Sequence, residues 1–317
     1  MKKRSTIFFL NFMKKSLFSI LVIGCLAFGS AHAEVTAVEM AATQHNLPNG
    51  FSKYDVFATV NGTALRVANI YAMDSEGTYI GFSKANFLSN VGHPAIFNED
   101  LPAFDDVAAT YSKKGSQVAL IIGAAFESQD PAVIEGVALE YGVSVGQEPI
   151  VGMKHNVLFE ITSLGNPIIH HIKGLGLDRV NQIVSDCVNK KSSLFQQFPV
   201  VRNNEVVLKS DSQELYRFYI EQKSADGDSE KLLRGVINFT QRLSLTDAAN
   251  VIVKLNEKAR PTPTISAVYM DVGGLYQAAE YDRNGRRISL KDYTRTSLHE
   301  QLSSDHYTNL LVFYSRK

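Results

Sequence analysis

The sequence predicts an α+β fold, with mixed, mostly antiparallel sheets and a few packed helices. Three observations predict it. Short runs rich in β-branched and aromatic residues recur along the chain, bounded by Gly, Pro and Asn, which is the pattern of strands. Turn signals join consecutive runs as hairpins, which favours antiparallel pairing. Only four stretches carry the 3.6-residue apolar spacing of a helix. No internal repeat, low-complexity segment or long linker interrupts the pattern.

The first 33 residues read as a secretory signal and not as part of the fold. Lys14-Lys15 precedes an apolar run from Leu17 to Phe28, and Ala31-His32-Ala33 supplies an A-x-A cleavage site. Met13 opens a second, tidier signal of the same kind. The run is short for a transmembrane span, so none is expected. Val22-Ile23-Gly24-Cys25 also fits a lipobox, which leaves a lipid anchor on Cys25 as the rival to simple cleavage after Ala33. Removing 33 of 317 residues leaves 284, enough for a sizeable core. It removes five of 32 basic residues and none of 32 acidic ones, so the remainder carries 27 − 32 = −5. A mildly acidic chain without a basic stripe does not suit nucleic acid. Cys187 alone remains after cleavage, so no internal disulfide is expected and the core must hold the fold. These features imply a periplasmic or secreted protein; the oligomeric state is not legible.

Residues 34–53 read as a mobile leader, ahead of a single domain over 54–317. Tyr54–Val60 and Ala64–Met73 flank Asn61-Gly62, the strongest short hairpin signal, because both turn positions need positive φ. Leu101–Lys114 reads as a helix with Phe104, Val107, Ala108 and Tyr111 on one side. Gln117–Ile122 is a buried strand leading into Gly123-Ala124-Ala125-Phe126. Ile134–Val145 and Asn156–Ile161 read as strands, with Gly136, Gly142 and Gly146 marking turns. Leu177–Val188 reads as a helix. Phe198–Val201 and Glu205–Leu208 flank Arg202-Asn203-Asn204 as a second hairpin, and Tyr216–Glu221 is a strand. Residues 225–230 are a polar turn or loop. Ser244 with Asp247 three residues on is a capping-box start. The helix it opens is stopped by Pro261 and Pro263. A strand from Ile265, a helix over Ser289–Leu302 and a strand over Asn309–Tyr314 complete the chain.

The chemistry-bearing signals are few. No G-x-S-x-G elbow, H-E-x-x-H or paired C-x-x-C occurs, and no metal or cofactor is expected. Gly174-Leu175-Gly176 is a turn and not a dinucleotide loop. Adjacent His170 and His171 point to opposite faces of an extended segment, so they cannot share one metal. Cys187 reads as a small buried hydrophobe. The pair Asp105-Asp106 is explained by the helix dipole. The most informative position is Asp271, in Tyr269-Met270-Asp271-Val272-Gly273-Gly274-Leu275. A carboxylate at the end of a buried strand needs a ligand, a cation or donors to meet it. A local turn cap is the alternative.

The order of the glycine-punctuated strand ends resembles the phosphodiester glycosidase family. Ile121-Ile122-Gly123-Ala124-Ala125-Phe126 is similar to that family's N-A/G-G-x-F strand end. Gln196-Gln197-Phe198-Pro199-Val200-Val201, with Asn203-Asn204 after it, is similar to its Q-x-G/A-P-x-L-V/I segment followed by N-G. Tyr216-Arg217-Phe218 places the arginine at a strand head. Ser244–Ala249 and Ala267–Leu275 are similar to its capped helix and its D-G-G-G-S ending. The resemblance covers roughly residues 104–276. It departs where Ile122 or Gly123 replaces the asparagine, Val272 the first glycine after the aspartate, and Leu275 the serine. It implies hydrolysis of a sugar phosphodiester, with Asp271 as general base or nucleophile and Arg217 as the phosphate-binding fork. Gly123, Phe126, Asn204, Gly273 and Gly274 would line the substrate. The replaced polar residues equally suit a catalytically degenerate scaffold that binds carbohydrate or protein.

Overall fold

A computed structural model describes residues 35–43, 46–74, 76–84, 102–125, 134–149, 155–224, 231–257, 263–270, 278–288 and 309–316. The expected signal segment, the loop over 225–230 and the helix over 289–302 lie outside these residues.

The described residues open with three long strands, β1 (Val35–Ala42), β2 (Phe51–Val60) and β3 (Thr63–Met73), and continue into β4 (Thr78–Lys84). Helix α1 (Pro102–Lys113) leads to β5 (Ser116–Gly123). A smaller section follows: β6 (Ala138–Glu140), β7 (Val143–Ser144), β8 (Val157–Ile161), β9 (Pro167–His171), α2 (Leu177–Lys190) and β10 (Ser193–Gln197). The chain then runs through β11 (Pro199–Arg202), β12 (Glu205–Val206), β13 (Gln213–Glu214), β14 (Arg217–Lys223), β15 (Lys231–Phe239), β16 (Leu243–Ser244), α3 (Leu245–Leu255) and β17 (Thr264–Tyr269). It ends with β18 (Ala278–Tyr281), β19 (Arg287–Ile288) and β20 (Asn309–Arg316).

An eight-stranded sheet has the order β1-β2-β3-β15-β14-β17-β11-β12. One five-stranded sheet runs β19-β18-β5-β20-β4, another β7-β6-β10-β8-β9, and β13 pairs with β16. Among the described residues every strand pairing is antiparallel, so the α+β expectation of mostly antiparallel sheets with a few helices holds.

Local chemistry explains the hairpins. Asn61 and Gly62 take φ of 49° and 79°, the double positive φ of the turn that matches strand twist. Asn203 and Asn204 do the same at 49° and 70°, and join β11 to β12. Ile134–Val145 is not one strand: Tyr141-Gly142 turns it into the β6–β7 hairpin. The Ser244 hydroxyl accepts from the Asp247 amide at 2.9 Å and donates to its carboxylate at 2.6 Å, so Ser244 caps the helix, with Asp247 reaching back to the cap hydroxyl.

One expectation is overturned. Residues 35–42, read as leader, form β1 and pair along β2, which itself begins at Phe51. A register shift between Val35 and Ala37 breaks the alternation and leaves Val35 and Val38 as the buried positions. That irregular spacing hides the strand from a period-two reading.

Side chains of all three large sheets meet in one core. Tyr71, Tyr219, Val236, Val268 and Met270 come from the eight-stranded sheet, Ile80, Phe82, Leu120, Leu311 and Phe313 from the first five-stranded sheet, and Phe159 and Phe195 from the second. A thread of rings crosses it: Phe82 stacks on Phe195 at 5.4 Å, Phe195 meets Phe159 at 5.1 Å, and Phe159 meets Tyr219 edge-on at 4.9 Å. Helix α1 covers the outer face of the first five-stranded sheet through Phe104 and Ala108. Helix α2 covers the second through Val180 and Cys187. Helix α3 packs against β1, β11 and β17.

Candidate functional site

Several strand ends converge beside the core. The Met270 amide, at the end of β17, donates to the Arg217 carbonyl at the head of β14 at 2.9 Å. The Tyr269 amide donates to the Phe198 carbonyl, between β10 and β11, at 3.0 Å. Gln197, fully buried, reaches from β10 to the Ala124 carbonyl just past β5 at 2.8 Å. Asn309, at the head of β20, accepts from the Ala125 amide at 2.6 Å and donates to its carbonyl at 3.2 Å. Backbone and amide side chains thus tie the ends of β5, β10, β14, β17 and β20 into one cluster.

Arg217 is 0% exposed and its Nε donates to Asn238 Oδ1 at 2.6 Å. The two residues are register partners, and Asn238 in turn faces Asn69 on β3. Strand alternation puts Arg217 on the same face as Tyr219, Asn238 on that of Val236, and Asn69 on that of Tyr71, all toward the core between the sheets. A charge held this deep must be hydrogen-bonded to be tolerable, and Asn238 supplies one such bond.

Of the residues singled out from the sequence, the structure brings Arg217 and Gly123 to these strand ends. Gly123 closes β5 opposite Leu310 of β20. Ile122 beside it is fully buried in the apolar core. Phe126, Asp271, Gly273 and Gly274 lie outside the described residues; Met270 and Ala125 are the last described residues before two of them. Asn204 is set apart. Its backbone amide bonds Ile265, at the start of β17, five residues from Met270, or roughly 17 Å along an extended strand. Its Oδ1 accepts from the Ile265 amide at 2.7 Å and from Asn256 at 3.0 Å, and its Nδ2 donates to the Pro263 carbonyl at 3.1 Å. The Asn204 side chain clamps a turn, away from the strand ends that meet near Arg217.

Sequence reasoning missed Asn69, Asn238 and His155. The first two carried a signal: asparagine is depleted in strand interiors, yet both sit inside apolar β-runs. His155 stacks on Phe198 at 4.0 Å, with Nε2 3.7 Å from Glu135. Burial lowers its pKa, and the Glu135 carboxylate opposes that shift.

The other titratable cluster is structural. Glu160 accepts from Ser192 at 2.7 Å and pairs with His170 at 2.7 Å. Burial raises its pKa, but these two partners outweigh burial and hold the carboxyl below its usual value. Burial pushes the adjacent Cys187 thiol up to about 12, so Cys187 is the inert buried residue expected. His170 and His171 both lie on β9, as strand histidines. Asp105 does more than face the helix dipole, since it accepts from Tyr281 at 2.7 Å. No group of three or more metal-ligating side chains occurs among the described residues.

The architecture and this strand-end cluster define a protein of layered antiparallel sheets whose polar strand ends meet in one place. Among solved structures, the catalytic domain of zebrafish N-acetylglucosamine-1-phosphodiester alpha-N-acetylglucosaminidase, in a form auto-inhibited by its pro-peptide, is similar in fold. Its TM-score is 0.52 with 12% identity, and the match covers 89% of each chain. At that identity the likeness is one of fold. No family model and no curated protein sequence matches this chain.

Proposed function

We propose that this chain is a hydrolase of glycosyl phosphodiesters that acts in the periplasm or outside the cell. The observation that carries the reading is the backbone bond between Met270 and Arg217. It joins the strand leading to Asp271 with the strand bearing the one arginine that the family resemblance picks out. The shared fold with a phosphodiester-cleaving glycosidase over 89% of the chain supports it. In this reading Arg217 holds the phosphate through its planar fork, and Asp271 activates water or stabilises the oxocarbenium-like centre. Gly273 and Gly274 let backbone amides approach the substrate. The signal segment delivers the chain across the membrane. No described helix is long and apolar enough to cross one.

Purified protein is expected to release sugar or phosphate from a panel of sugar phosphodiesters. Asp271→Asn is expected to keep the circular-dichroism spectrum and thermal midpoint while abolishing release. A folded wild-type protein inert across the panel would sink the proposal. A second reading, a binding protein on a degenerate scaffold, is favoured by one observation: Arg217 is wholly buried. It expects saccharide binding without turnover, unaffected by Asp271→Asn.

A further inference from the structure

Asn69 and Asn238 are cross-strand partners, 1% and 0% exposed. Directly opposed residues of an antiparallel pair stand about 5 Å apart at Cβ. Arg217 Nε is a donor only, so its 2.6 Å bond requires the oxygen of Asn238 on that side. The Asn238 Nδ2 is thereby turned away from the guanidinium, and it has no hydrogen-bond partner. Asn69 Oδ1, on the neighbouring strand and the same face, has none either. Two adjacent buried amides thus present one unmet donor and one unmet acceptor. Leaving such groups unmet is costly, and folded proteins rarely do so without a ligand, a water or a function to account for it.

The chemistry of a partner able to bond both atoms follows from the pair. A phosphate or carboxylate oxygen accepts only and would leave Asn69 Oδ1 unmet. An ammonium donates only and would leave Asn238 Nδ2 unmet. A hydroxyl meets both. We infer that the Asn69–Asn238 pair is a binding subsite for a saccharide hydroxyl, one strand over from Arg217; the choice of a saccharide rests on the hydrolase reading. Arg217 is the positioning residue, because its bond sets the orientation of the Asn238 amide.

The test uses the full chain with asparagine side-chain amides isotopically labelled and followed by NMR. The probes are methyl α-glucoside, methyl N-acetyl-α-glucosaminide and the α-1-phosphodiesters of the same two sugars, with product release measured in parallel. The Asn238 amide resonance is expected to shift on addition of at least one probe. Asn69→Leu is expected to weaken that probe about tenfold, the worth of one neutral hydrogen bond. Its thermal midpoint should stay level or rise, because leucine removes an unmet acceptor. An amide shift without turnover upholds the subsite and removes the hydrolase reading. Turnover without an amide shift does the reverse. Resonances that ignore every probe and report only a long-lived bound water overturn the subsite, as does an Asn69→Leu protein with unchanged affinity.

Discussion

At Arg217 the cost of burial is set by few atoms. Its guanidinium has no exposure, and its Nε bond leaves Asn238 oriented by a fixed fork. Lysine carries a point charge on a flexible stem and cannot donate from the Nε position. Arg217→Lys is therefore expected to lose a charge-assisted hydrogen bond worth about 2 kcal/mol, read as a lower urea midpoint. Phosphodiester turnover should fall in the same variant, if Arg217 holds the phosphate. An unchanged midpoint would mean that the Asn238 bond contributes nothing. The same scale governs Lys53, only 8% exposed, which donates to Glu280 at 2.9 Å, with the Tyr71 hydroxyl on the same carboxylate oxygen. That contact joins β2 and β3 of one sheet to β18 of another. Lys53→Met leaves a buried carboxylate short of its cation and should cost about 3–5 kcal/mol. The double variant Lys53→Met, Glu280→Leu should recover most of the loss, which a double-mutant cycle in denaturant would measure.

Among the elements, β15 shows how one residue can decide a sheet. A Cβ on Gly235 would run into the backbone carbonyl of Tyr71 on β3, and strand backbone cannot yield as a flexible side chain does. Gly235→Ala should destabilise by about 3 kcal/mol, or prevent soluble expression, whereas Gly62→Ala meets no neighbour and is strained only by its φ of 79°. Comparing the two chemical-denaturation midpoints tests it. The start of α3 was legible from its Ser244 cap, because a cap is a contact between residues three apart. Much of the hairpin content was legible for the same reason. Strand β1 was not, since its register shift puts the buried valines three apart, and only pairing with β2 makes them inward-facing.

Across the molecule, His171, His155 and Glu160 all hold folded values below their ordinary ones, so each lowers stability in acid. Burial first, then Arg202, Lys223 and His170, lower His171 from 6.5 to about 4. The unfolded chain binds a proton there that the folded chain refuses, so stability declines as pH falls from 6.5 towards 4. Glu160 has a depressed folded value, so its contribution is present above 4.5 and is lost as pH falls through that lower value. His171→Gln should make the decline of urea midpoints shallower across the upper window, where the share of His155 remains, and leave the lower one in place. A parallel decline in the variant would assign the loss elsewhere. The ring thread through Phe195 makes a separate demand. Phe195→Ala removes the link between two sheets and should cost about 3–5 kcal/mol, lowering the thermal midpoint without altering the pH profile.

Turns at Asn61-Gly62 and Asn203-Asn204, the start of α3 and the strand entering Met270 follow from the order of residues alone. Each rests on φ preference or on contacts between near neighbours, which a linear reading can see. The meeting of Asn69, Arg217 and Asn238, the burial of Lys53 against Glu280, and the removal of Asn204 from the strand-end cluster were decided only by the tertiary structure. Which strands become neighbours in a sheet depends on how the whole chain buries its apolar faces at once. No local pattern near residue 69 records that residue 238 will lie opposite it.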